Sequence, residues 1–185
     1  MAHPNLLSID KTVLVVVDVQ EAFRNAIPDF ALVVSRVATA VRGFQTLGVP
    51  VIVTEQYPKG LGHTAEEIQL VLTEGNEAIE KTAFSSCNGT GFFEKLNGLG
   101  VSQVVLCGFE THICVTQTAH DLLHRGLQVH ILCDCVASRF DYNRLAGLAK
   151  MTRAGALETS TEMALFELMR DAKHDKFKEI QALVK

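Results

Sequence analysis

Apolar residues in this chain come in short dense runs, separated by longer stretches in which they recur every three or four positions. The run "TVLVVVDV" (12–19) is nearly all apolar, as a strand buried on both faces must be. From Asp29 to Leu47 the period changes. Val33, Val37, Val41 and Phe44 share one helical face, Gly48 supplies a stop, and Pro50 opens a second strand, "PVIVTE". Thr64 and Glu67 have capping-box spacing ahead of "EEIQLVL", so the pattern predicts a helix there. A third strand is expected in "EAIEKTAF", then a helix carrying Phe92, Phe93, Leu96 and Leu99 and ending at Gly100. The fourth strand, "SQVVLCGF", leads to a helix over Val115 to Arg125. "LQVHILCD", a helix over Asp141 to Arg153, and a sixth strand "ALETST" follow. The chain closes on two helical patterns, "EMALFELM" and "DKFKEIQALV".

This regular alternation predicts a three-layer α/β fold around a mainly parallel sheet. With no linker, repeat or low-complexity segment, the 185 residues read as a single domain. The net charge of -4 offers no basic footprint for nucleic acid, and no apolar run is long enough to cross a membrane. "MAHPNLLSIDKT" has neither the layout of a signal peptide nor that of a transit peptide. A cytoplasmic protein is expected, with an organellar location left open.

Five cysteines are an odd number in a chain that needs no staples, so each thiol is expected to serve packing or chemistry rather than a disulfide. Cys133 and Cys135 look like half a metal site, but no second Cys/His pair has zinc-like spacing, and two packed thiols on a strand is the simpler reading. Ligands of open parallel sheets sit at the carboxyl ends of the strands. There the chain places Asp18 after the first strand, Lys81 in the third, and Cys114 past the fourth. Taken singly, Asp18 is as readily a turn former, Lys81 a solvated edge residue and Cys114 a packed thiol. Together they suggest one site. A helix start and a nearby ammonium favour a thiolate, an aspartate can carry its proton, and backbone N–H groups of the turn can hold an oxyanion.

"VVVDVQEAF" (15–23), "EKTAFSS" (80–86) and "GFETHICVTQTAHDLLHRG" resemble the isochorismatase-like hydrolases, a superfamily of cysteine hydrolases. Its most specific piece here is G-x-x-T-x-x-C-V-x-x-T-A, at Gly108, Thr111, Cys114, Val115, Thr118 and Ala119. "TEQYPKGLGHT" (54–64) and the ending "HDKFKEIQALVK" resemble the isochorismatase domain-containing proteins in particular. The resemblance runs from about Lys11 to Met169, leaving 170–185 as a helical tail. It implies a Rossmann-like α/β/α domain with strand order 3-2-1-4-5-6. It also implies a triad of Cys114 as nucleophile, Asp18 as base and Lys81 assisting, with a cis peptide between Phe109 and Glu110 that turns the N–H groups of Glu110 and Cys114 toward one oxyanion. By analogy with the family, a homo-oligomer is expected as well.

Departures from the family narrow the activity. Where nicotinamidases carry an Asp/His/His metal site, this chain has Glu55 and a single distant His63, so no metal and no other cofactor is expected. Isochorismatases proper lack the cysteine, which argues against vinyl-ether cleavage. The expected activity is hydrolysis of a small amide, carbamoyl or related C–N substrate through a thioester on Cys114. A retained fold that serves as a scaffold, or a redox-sensing cysteine, is the alternative. His112 is a weaker partner for Cys114 than Asp18 is, and His120 and His124 read as surface or capping residues rather than ligands. Phe23, Tyr57 and Phe84 are candidate pocket walls, with Gln20 and Thr118 as polar contacts. Glu110 would screen anionic substrates if it faced the pocket.

Overall fold

A computed structural model describes residues 3–185. In chain order the elements are β1 (Thr12–Val17), α1 (Phe30–Thr46), β2 (Val51–Gln56), α2 (Pro58–Leu61), α3 (Glu66–Gln69) and β3 (Ile79–Lys81). Then come α4 (Phe92–Gly98), β4 (Gln103–Phe109), α5 (Thr116–His124), β5 (Gln128–Ala137), α6 (Asp141–Arg153), β6 (Leu157–Thr159), α7 (Thr161–Met169) and α8 (Phe177–Val184). The strands form one six-stranded sheet of order β3-β2-β1-β4-β5-β6, every pairing parallel.

The central strands β1 and β4 are buried along their whole length, which is why their sequences are continuous apolar runs rather than alternating ones. Alternate residues divide between two cores. Leu14 and Val16 pack with α1, α7 and α8, while Val13, Val15 and Val17 pack with α4, α5 and α6. Phe44 and Phe92 anchor the two layers and are fully buried; each such ring contributes roughly 1.5–3 kcal/mol. The order of strands reverses between β1 and β4, so the crevice at their carboxyl ends is where this topology offers a site.

Two local expectations give way to the structure. Thr64 and Glu67 do not form a capping box. The Thr64 hydroxyl donates to Glu55 Oε1 (2.7 Å), and Glu67 is bound by Arg24. Both side chains are drawn to partners distant in sequence, and α3 shrinks to a single turn. The Phe109–Glu110 bond, expected to be cis, is trans, as is every peptide bond among the described residues. The chain leaves β4 by another route. Gly108 adopts φ +112° against Val17, where a Cβ would lie 2.0 Å from the Val17 carbonyl oxygen. Glu110 is extended, and Thr111–Val115 form a widened π-helical turn that runs into α5. The bend at Gly108 and the extra residue in that turn together reverse the chain without a cis bond.

Candidate active site

β1 ends by delivering Asp18 into the crevice in a left-handed conformation, φ 51°. Aspartate tolerates that region better than most residues, but a buried one held there is a strained position of the kind that gathers at functional sites. Its carboxylate is buried, and each oxygen has one side-chain partner. Oδ1 accepts from the Thr54 hydroxyl at 2.7 Å, and Oδ2 accepts from Lys81 Nζ at 2.6 Å. Lys81 crosses from the edge strand β3 to reach it, and its ammonium also donates to Gln56 Oε1 (2.7 Å) and to the Ala83 and Phe84 carbonyls (3.3 and 3.2 Å). A buried ion pair is tolerable only when its remaining hydrogen-bonding capacity is met, and β2 meets it with Thr54 and Gln56. Sequence reading missed both; as polar residues at the carboxyl end of an otherwise apolar strand, they carried the same signal as Asp18.

Cys114 lies in the π-helical turn, 6% exposed, among Val17, Val115 and Ala119. Its thiol is pushed up to about 12, first by burial and then by the charge of Asp18, with Lys81 pulling the other way. The expectation that helix start and ammonium would lower this thiol is therefore overturned. Desolvation and the charge of the Asp18 carboxylate outweigh them, so the thiol is held above its ordinary range. The turn that carries it is braced from three sides. The Thr111 hydroxyl donates to the Ala137 carbonyl (3.0 Å), Thr116 donates back to the Thr111 carbonyl (2.6 Å), and α6 closes in at Gly147, where a Cβ would sit 3.0 Å from the Thr111 carbonyl oxygen. The Glu110 carbonyl accepts from the N–H groups of Ile113 and Val115.

The other candidates separate. Gln20 is buried, and its amide is consumed by backbone: it donates to the Gln56 and Gly62 carbonyls and accepts from the Gln56 N–H. It clamps the β2–α2 loop rather than facing a ligand. Thr118 is likewise buried, accepting from the Ser86 N–H and donating to the Ser86 hydroxyl. Phe23 packs edge-on against Phe109 and the core, while Tyr57 and Phe84 are exposed. Glu110 turns to Arg139, whose N–H and Nε both donate to its Oε1 (3.0 and 3.1 Å). His112 pairs with the Ser138 hydroxyl and His120 with the Thr116 carbonyl, both away from the thiol.

A family model for the isochorismatase domain matches residues 12–163, spanning all the strands and the whole cluster above. The chain belongs to the isochorismatase family. Isochorismatase domain-containing protein 2 of Danio rerio is 42% identical over 185 residues, a match covering 100% of this chain and 92% of the relative. A solved structure described as the MAR1 ribonuclease of Caenorhabditis elegans superposes with a TM-score of 0.92 at 38% identity, covering 97% of this chain and 92% of that one. The N-carbamoylsarcosine amidase of Thermoplasma acidophilum superposes with a TM-score of 0.71 at 29% identity, covering 82% and 96% of the two chains.

Within this isochorismatase-family chain the segment after β2 carries a local hydrogen-bond network. Glu55 Oε1 accepts from the Thr64 N–H (2.6 Å) and hydroxyl, and Oε2 meets His63 Nδ1 at 3.1 Å. Among the described residues no three His, Cys, Asp or Glu side chains gather to hold a metal ion. The Glu55 carboxylate is occupied in tying this loop to β2.

Proposed function

We propose that this chain is a cysteine hydrolase that needs no metal and cleaves a small amide, carbamoyl or related C–N bond through a thioester on Cys114. The observation that carries the reading is the buried Lys81–Asp18 contact at 2.6 Å, whose two charges both act on the Cys114 thiol. A protonated thiol and an adjacent carboxylate suit general-base attack. Asp18 takes the Sγ proton as sulfur bonds to the substrate carbonyl carbon. Lys81 offsets the negative charge that remains in the site, and with the Phe109–Glu110 bond trans the role of oxyanion donor falls to the Cys114 N–H in the turn into α5 rather than to the pair with Glu110. Collapse breaks the C–N bond, and Asp18 returns its proton to the departing nitrogen. Water then attacks the thioester, gives a proton to Asp18, and the C–S bond breaks, with the proton returning to sulfur as the acid leaves.

The name of the nematode relative raises RNA as a substrate, but a net charge of -4 on this chain speaks against a phosphate-backbone ligand. One feature favours the alternative of a retained fold without turnover, and that is the raised Cys114 thiol itself. A screen of small amides and ureides for released ammonia separates the two. Hydrolysis by the native chain, with a loss of at least about 1,000-fold in Cys114→Ala, supports the proposal. Activity that survives both Cys114→Ala and Asp18→Asn overturns it. The same reading takes the chain as one cytoplasmic domain that self-associates, for which the exposed apolar side chains Phe140, Tyr142 and Leu145 on and beside α6 offer a surface.

A further inference from the structure

The Tyr57–Gly60 segment after β2 walls a cavity of about 370 Å³ that Lys81 also lines, although the Lys81 side chain is itself fully buried and its ammonium is held on Asp18. The cavity lies beside β3, the edge strand of the sheet, and is lined by Tyr57 and Lys59 of the segment after β2 together with Glu80, Lys81, Thr82 and Thr90. Its volume falls toward the small end of ligand pockets, roughly 300–1,000 Å³.

Three features mark it as built. Tyr57 is held at φ 39°, ψ 66°, a left-handed conformation that costs an aromatic residue of order 1–3 kcal/mol and persists only where the surroundings impose it. The surroundings are visible: the Tyr57 N–H donates to the Lys81 carbonyl at 2.8 Å, and the ring lies on Gly60, where a Cβ would come within 2.6 Å of two ring carbons. The fixed ring nonetheless remains 54% exposed. Finally, Lys59 and Glu80 bring opposite charges to the same cavity, and neither belongs to an ion pair among the described residues.

We propose that this cavity binds a zwitterionic amino acid with an aromatic side chain, its carboxylate on Lys59, its ammonium on Glu80 and its ring on Tyr57. Two unpaired charges of opposite sign select a ligand that is neutral overall but carries both charges. A ligand with only one of them leaves the other protein charge unmatched and gains less. The Thr82 and Thr90 hydroxyls can satisfy the remaining carboxylate lone pairs, and the immobilised Tyr57 ring offers a stacking face without further loss of side-chain entropy.

The test uses the full chain carrying Cys114→Ala, so that its outcome is independent of any hydrolysis. L-phenylalanine is titrated calorimetrically beside N-acetyl-L-phenylalanine and L-phenylalaninamide, which lack the ammonium and the carboxylate in turn. Saturable one-to-one binding is expected for the free amino acid, with each analogue about tenfold weaker or worse, a change of about 1.4 kcal/mol. Lys59→Gln and Glu80→Gln, both at exposed positions, are each expected to weaken binding by about the same factor. Absence of saturable binding, or equal affinity for the three ligands or for the substituted chains, overturns the proposal.

Discussion

Cys107 and Cys114 stand on the same strand and on the turn that ends it, and burial treats them alike. Both thiols are buried, and both are pushed above the ordinary range chiefly by desolvation. They differ in what faces them. Cys107 sits in the layer under α1, α7 and α8, its sulfur weakly directed at the Val15 carbonyl at 3.7 Å. Cys114 sits in the opposite layer and is acted on by the carboxylate of Asp18 and the ammonium of Lys81. Under the proposed mechanism, a difference in reactivity within this pair would come from neighbours rather than from exposure or resting ionisation. Cys107 feels only the like-signed charge of Asp134, whereas Cys114 feels both the carboxylate of Asp18 and the ammonium of Lys81.

The sharpest way to break this contrast is at Gly108, the residue that separates the two environments. Gly108→Ala places a methyl group 2.0 Å from the Val17 carbonyl at φ +112°. A loss of more than about 4 kcal/mol, or outright failure to fold, is expected in urea denaturation; near-native stability would show that the turn into Cys114 can be made another way. Lys81→Met leaves Asp18 buried with only the Thr54 hydroxyl as a partner and is expected to cost roughly 3–5 kcal/mol by the same measurement. Asp18→Asn should act on the two thiols unequally. It removes a charge that raises Cys114, so iodoacetamide labelling of Cys114 is expected to quicken while Cys107 stays inert.

Alkaline pH should treat the two thiols alike again. Each has a folded pKa above its unfolded value, near 9.0, so the stability held by the proton is complete below that value and is lost as pH rises through the folded pKa, about 12 for Cys114. Each contributes a slope approaching ~1.4 kcal/mol per pH unit once unfolded thiols ionise. Replacing either cysteine with alanine is expected to flatten the alkaline limb of the stability curve by one proton's worth. The smallest effect belongs to Cys107→Ala near neutral pH, about 1 kcal/mol from the lost sulfur, with turnover unchanged. A large loss of turnover there would erase the distinction between the two thiols.

The strands could be read from the chain because a sheet covered on both faces demands β-branched runs, and "TVLVVVDV" and "SQVVLCGF" satisfy that demand locally. Asp18, Lys81 and Cys114 could be singled out as candidates because strand ends are where this topology presents side chains, and the structure brings Asp18 and Lys81 into contact. What escaped was set by partners remote in sequence. Thr64 and Glu67 have capping spacing, but Glu55 and Arg24 hold them. Gln20 and Thr118 look available until the backbones of 56, 62 and 86 are folded against them. The high Cys114 thiol also lay beyond the sequence, since it depends on how completely the turn is dried and on the balance between the opposite charges of Asp18 and Lys81.

The central claim is that Cys114 cleaves an amide only with Asp18 as its proton acceptor and donor, whatever the ease with which the thiol is alkylated. It is tested most directly by quenching turnover of a substrate found in the ammonia screen and mapping the trapped acyl group by peptide mass spectrometry. The account predicts an acyl adduct on Cys114, none on Cys107, and loss of the adduct in Asp18→Asn. Amide hydrolysis at the native rate by Asp18→Asn, or an adduct carried by another cysteine, would contradict it.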